Sequence, residues 1–85
     1  MKQLTVLSRS YCHLCDDMIA ALQELRGSSF EDFDVDVVDV DQFPLLERKW
    51  GEKVPVLLSG DVEICHYFLD QDQLALHLVP LEKRA

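Results

Sequence analysis

The sequence predicts an α/β fold with a four-stranded mixed sheet, helices on both faces, and the order β-α-β-α-β-β-α. Three observations lead there. Short apolar or alternating runs at 3–7, 33–40, 53–58 and 62–65 read as strands. Segments with helical apolar spacing separate the first three runs and follow the fourth. The first two strands, joined by a helix, should be parallel with a right-handed crossover, while the last two lie close enough for an antiparallel hairpin.

Each element has a local reason. Leu4-Thr5-Val6-Leu7, between Lys2 and Ser8, is a short buried strand. Ser8-Arg9-Ser10 forms a loop, and a helix follows over about 13–26, with Met18, Leu22 and Leu25 at helical spacing and Ile19 and Ala21 beside them. Gly27 is placed as its C-cap, with Ser28-Ser29 as a turn. Phe33-Asp34-Val35-Asp36-Val37 alternates as a half-buried strand does. The phase then slips at Val38, which predicts either a bulge at the Val37–Val38 step or a strand end covered on both faces. Asp41 is the expected N-cap of a second helix, with Pro44 in its first turn, Phe43, Leu46 and Trp50 on one face, and Gly51 at its end. Lys53-Val54-Pro55-Val56-Leu57-Leu58 is a buried strand with its proline at the start, where a ladder N–H can be spared. Ser59-Gly60-Asp61 turns the chain into Val62-Glu63-Ile64-Cys65. Asp70 caps the last helix in a capping-box pattern with Gln73, Leu69 staples against Leu74, and Leu74 and Leu78 face the core. Pro80 stops that helix and 81–85 is a frayed polar tail.

Composition narrows the function classes. With 85 residues, of which 48% are hydrophobic, the chain is expected to form one small domain with a thin core. A net charge of −8 argues against nucleic acid and against anionic membrane surfaces. No apolar signal region or membrane-length stretch is visible, so the expectation is a cytoplasmic protein, monomeric by default. Three cysteines are too few, and odd in number, for a secreted disulfide scaffold. Six acids lie within 31–41; they either solubilise an exposed edge strand or offer a docking surface to a basic partner.

The chemistry concentrates at Tyr11-Cys12-His13-Leu14-Cys15, between the first strand and the first helix. A Cys-x-x-Cys at a strand-to-helix junction points to redox chemistry. Cysteines three apart on a helix share a face and can bridge. The helix N-terminus favours a thiolate at Cys12, the expected nucleophile, and Cys15, one turn in, is the more buried resolving thiol. Asp16 and Asp17 suit the helix dipole but oppose a neighbouring thiolate. His13, if protonated, stabilises that thiolate; otherwise it is an exposed first-turn residue. Cys65 is expected to be a buried small hydrophobe, with a regulatory or glutathionylated thiol as the alternatives. His66 and His77 carry no visible constellation, and Trp50 belongs to the core.

This order of elements, with the dithiol after the first strand, resembles the thioredoxin fold in its minimal glutaredoxin form, over essentially the whole chain. Ser8-Arg9-Ser10-Tyr11-Cys12-His13-Leu14-Cys15 is similar to the glutaredoxin active-site segment, and Val54-Pro55 to the family's Val-Pro pair, whose peptide is cis and lies against the dithiol. Within that form the chain resembles small bacterial glutaredoxin-like proteins. The chain departs from the pattern at His13-Leu14, where Pro-Tyr is usual, at Lys53, where Thr is usual, and at Cys65-His66-Tyr67, where a glutathione-contacting Gly-Gly motif is missing.

The resemblance implies thiol–disulfide exchange with a disulfide-bearing protein or small thiol, reset by glutathione or by a thioredoxin-reductase-type system. It implies no resident cofactor, with glutathione as a co-substrate at most. Arg9 is implied to bind a substrate carboxylate or to raise the local potential, and Tyr11 to pack beside Cys12 and line the substrate groove. Lys53 flanks that groove, and Val54 leaves its backbone free to pair with an extended substrate beside Pro55. A midpoint of roughly −270 to −200 mV is expected. Rival readings are a zinc site, for which one cysteine pair is too few ligands, an iron–sulfur cluster shared through Cys12 and glutathione, and a binding module with incidental thiols.

Overall fold

A computed structural model describes residues 2–26 and 33–78 of the chain. The elements are β1 (Lys2–Ser8), α1 (His13–Arg26), β2 (Phe33–Asp39), α2 (Pro44–Trp50), β3 (Val56–Ser59), β4 (Val62–His66) and α3 (Gln71–Leu78), with single 3-10 turns at Val40–Gln42 and Gly51–Lys53. The strands form one sheet in the order β2-β1-β3-β4. β1 and β2 are parallel, and β1–β3 and β3–β4 are antiparallel. The cap at Gly27, the turn at Ser28-Ser29, the stop at Pro80 and the tail over 81–85 lie outside the described residues.

Two apolar clusters cover the two faces. On one, Leu4 and Val6 of β1, Phe33 of β2, Leu57 of β3, and Ile64 and Cys65 of β4 pack against Met18 and Leu22 of α1 and Leu74 and Leu78 of α3. On the other, Leu7, Val40, Val56 and Leu58 pack with Val38, Val54, and Leu46 and Trp50 of α2. This arrangement decides the β2 question. β2 pairs with β1 without a register shift from Lys2↔Phe33 to Ser8↔Asp39, so there is no bulge. Phe33 and Val35 face the α1–α3 side, and Val38 and Val40 face the α2 side. The apparent slip marks where apolar residues change faces, because α2 covers only the far end of the strand. β2 lies at the sheet edge, and the exposed Asp36 on it fits the reading of solubilising charge.

A bulge occurs instead in the β3–β4 hairpin. Leu57 pairs with Cys65 but Leu58 with Glu63, which leaves Ile64 as the extra residue. The result sends two consecutive side chains, Ile64 and Cys65, into one cluster. Gly60, at φ +62, turns this hairpin in a conformation that costs glycine little.

Two expected boundaries move, the start of α2 and the start of β3. Asp41 does not cap α2: Asp39 caps the 3-10 turn, its Oδ1 accepting the Asp41 N–H at 2.9 Å, and α2 begins at Pro44. Proline disfavours helical backbone at the residue before it, so Phe43 is extended (φ −133, ψ 94) and the helix cannot start earlier. Phe43 therefore does not share the half-buried face of Leu46 and Trp50 but is exposed. Lys53, Val54 and Pro55 precede β3 rather than belonging to it, because the chain is still in a 3-10 turn at Lys53. Asp70 does cap α3, accepting the Gln73 N–H at 3.1 Å. No helix among the described residues is long and apolar enough to cross a membrane.

Candidate functional site

The C-terminal end of β1 gathers the chemistry. Ser8 ends the strand, and the loop through Arg9, Ser10 and Tyr11 delivers Cys12 to the start of α1. Leu7 pairs with Val56 and Val56 with His66, so Pro55 and Tyr67, one residue beyond each, meet at this end. The Tyr67 N–H donates to the Pro55 carbonyl at 2.8 Å. The Val54–Pro55 peptide is cis.

Cys12 and Cys15 are joined as a disulfide, with their Cα atoms 5.2 Å apart. Cys12 precedes the first helical residue, and its carbonyl accepts the Asp16 N–H at 3.1 Å, the first helical hydrogen bond. The Cys15 N–H donates to Cys12 Sγ at 3.1 Å. One of the unpaired N–H groups of the helix's first turn thus points at the first sulfur, where it stabilises negative charge. Burial separates the pair: Cys12 is half-buried, whereas Cys15 is 1% exposed because it continues the stripe formed by Met18 and Leu22.

The other predicted residues divide. His13 is the first residue of α1 and is exposed. Tyr11 does not pack beside Cys12: it is fully exposed, with φ +58. The left-handed turn that brings the loop into the helix points its ring into solvent. Arg9 is not a free cation: its Nη2 lies 3.1 Å from Glu47 Oε1 and its Nε 3.5 Å from Asp41 Oδ1. Lys53 is exposed, with its ammonium 5.7 Å from the centre of the Trp50 ring, where Lys49 approaches to 5.2 Å. Val54 packs on the α2-side cluster, and Pro55 is buried.

Tyr67 is the residue that sequence reasoning missed. It adopts φ +64, and its hydroxyl donates to the Glu52 carbonyl at 3.0 Å. It stands about where the Gly-Gly motif is missing and keeps a glycine-like backbone without a glycine; that positional coincidence was the available signal. Two hydrogen bonds to the 52–55 segment hold it there. With Leu14, Asp17 and Phe68 it borders an open groove of about 290 Å³ beside the first turn of α1. His66 is not isolated either: its Nδ1 lies 2.9 Å from Glu63 Oε2, and its ring meets Tyr67 edge-on at 4.7 Å. No cluster of three or more His, Cys, Asp or Glu side chains that could hold a metal occurs among the described residues.

A strand-to-helix dithiol on a four-stranded mixed sheet, with a Val-Pro segment at the same end, places the protein among those with a thioredoxin-like fold. The family model of the glutaredoxin-like domain (DUF836) matches residues 3–79, and the chain belongs to that family. The solution structure of protein Ne2328 from Nitrosomonas europaea is 40% identical, with 92% of each chain covered and a TM-score of 0.80. The X-ray structure of protein XcR50 from X. campestris is 34% identical, covering 91% of this chain and 99% of its own, with a TM-score of 0.64. A malarial protein at 19% identity and a TM-score of 0.60 shares the fold. No curated protein matches the chain.

Proposed function

We propose that this protein is a dithiol–disulfide oxidoreductase, with Cys12 as nucleophile and Cys15 as resolving thiol. The observation that carries this reading is the asymmetry of the pair. Cys12 is half-buried at a helix N-terminus with an N–H on its sulfur, and Cys15 is buried one turn away within bonding reach. Membership of the glutaredoxin-like family supports it.

The Cys12 thiolate attacks one sulfur of a substrate disulfide, and the other sulfur leaves as a thiolate. Cys15 loses its proton and attacks Cys12 Sγ; the intramolecular disulfide forms, the mixed disulfide breaks, and the second substrate thiol departs. The substrate gains two electrons and two protons. An external dithiol or two thiol molecules reverse the change in the enzyme, so no resident cofactor is needed. Val54, ahead of the paired residues of β3, offers its backbone to an extended substrate beside Pro55. His13 modulates the thiolate when protonated. A reducing, cytoplasmic setting suits such a cycle.

The test is equilibration of reduced protein across ratios of reduced to oxidised glutathione, followed by acid quenching and intact-mass measurement. The expected result is loss of two hydrogens with a midpoint of roughly −270 to −200 mV, absent from Cys12→Ser and Cys15→Ser. Cysteines that stay reduced at every ratio would overturn the proposal.

A further inference from the structure

We infer that the dithiol site selects against anionic disulfides, glutathione disulfide among them, and favours a peptide disulfide flanked by lysine or arginine. This deepens the exchange reaction proposed above and rests on it.

The argument starts at Arg9, the cation three residues before Cys12. Its guanidinium is held by Glu47 at 3.1 Å and faces Asp41 at 3.5 Å. It also lies over Gly51: a Cβ at that position would come within 2.9 Å of Arg9 Nη2 and 2.8 Å of Glu47 Oε1. Gly51 has an ordinary helical φ of −55, so its smallness serves this approach and not a turn. Two carboxylates therefore oppose one guanidinium, and an incoming substrate carboxylate finds Arg9 already paired.

Among the remaining charges at this end of the sheet, acids outnumber the lysines Lys49 and Lys53. Asp16 and Asp17 follow the dithiol directly, and Asp17 borders the groove shared with Tyr67 and Phe68. Glu52 precedes the Val54–Pro55 segment. At the α3 N-terminus, the Gln73 N–H that would bind an anion is taken by Asp70. Lys49 and Lys53 oppose these acids in part, with their ammonium groups 5.2 and 5.7 Å from the centre of the Trp50 ring, and His13 adds charge only when protonated. A site of this sign slows approach of anions and speeds that of cations. Glutathione disulfide carries more carboxylates than ammonium groups. The exposed carbon of Leu14 and Phe68 supplies the apolar contact a peptide can use.

The experiment uses Cys15→Ser with Cys65→Ala, so that an adduct accumulates on Cys12 alone. Adduct formation with cystamine, a cationic disulfide, is compared with that of glutathione disulfide by intact mass. Each rate is normalised to the reaction of the same disulfide with 2-mercaptoethanol. The expected ratio is about tenfold or more in favour of cystamine at low salt, falling as salt is added. Asp41→Asn with Glu47→Gln, which releases Arg9, should lower the ratio several-fold more than the charge-matched pair Asp36→Asn and Asp61→Asn. Adducts that form with both disulfides at a normalised ratio near one, or with glutathione preferred, overturn the selectivity and leave the exchange reaction standing. No adduct with either disulfide defeats the exchange reaction, and the selectivity with it.

Discussion

The dithiol and the third cysteine place one side chain in two environments. Cys12 sits half-buried at the start of α1, with a backbone N–H on its sulfur. Cys65 sits in β4 at 9% exposure, packed in the α1–α3 cluster. Burial pushes the Cys65 thiol up; a backbone hydrogen bond from Asp70 pulls it partly back, and the Asp70 and Glu63 carboxylates push it further up. The free N–H groups of a helix's first turn welcome a thiolate, whereas an apolar strand face rejects it. Position in the fold, not the residue type, separates a sulfur placed to ionise from one that holds its proton.

The sharpest test of this contrast exchanges the roles. Cys12→Ser should abolish disulfide exchange, whereas Cys65→Ala should keep it, as followed by reduction of a model disulfide. In the reduced protein, iodoacetamide should modify Cys12 about a hundredfold faster than Cys65, read by peptide mass at timed quenches. Equal rates would erase the distinction.

Next comes the packing that protects Cys65. Leu57 is its register partner across the hairpin. Leu57→Ala should cost about 2–5 kcal/mol in urea unfolding and raise the Cys65 alkylation rate while leaving that of Cys12 unchanged. A parallel rise at both sites would mean that general loosening, not local burial, sets the difference.

A smaller effect is expected with pH. The folded Cys65 holds its proton above the ordinary thiol value of 9.0. Below that value both states are protonated and the group contributes nothing. Above it the unfolded chain releases the proton and the folded one does not, so stability falls as pH rises. The melting temperature of the wild type should therefore drop more steeply from pH 8.5 upward than that of Cys65→Ala, where these pH values are about those that bracket an ordinary thiol. Coincident slopes would place Cys65 in an environment no different from water.

The two left-handed tyrosines give the smallest effects. Tyr67→Phe removes the hydrogen bond to the Glu52 carbonyl and should cost about 0.5–1.5 kcal/mol. Tyr11 carries the same kind of backbone without burial, so Tyr11→Gly should stabilise the fold by less than about 1 kcal/mol. Chemical denaturation of both variants checks the pair.

The sequence alone determined much of this protein. Alternation and helical spacing located all seven elements, and Cys12 and Cys15 were legible as a pair because three residues along a helix is a fixed geometry. Asp70 was legible as a cap because the cap bond is local. Tertiary structure decided what depends on distant partners. Asp41 turned from helix cap to Arg9's neighbour because Pro44 delays the helix and the β2–α2 connection passes beside the dithiol loop. The unbroken β2 register follows from two clusters on opposite faces, which a one-dimensional pattern shows only as a slip. Arg9 paired with two acids and Tyr67 tied to Glu52 and Pro55 both arise where residues apart in the chain meet. Local chemistry names the reactive groups in a sequence; only packing says which of them remain free to react.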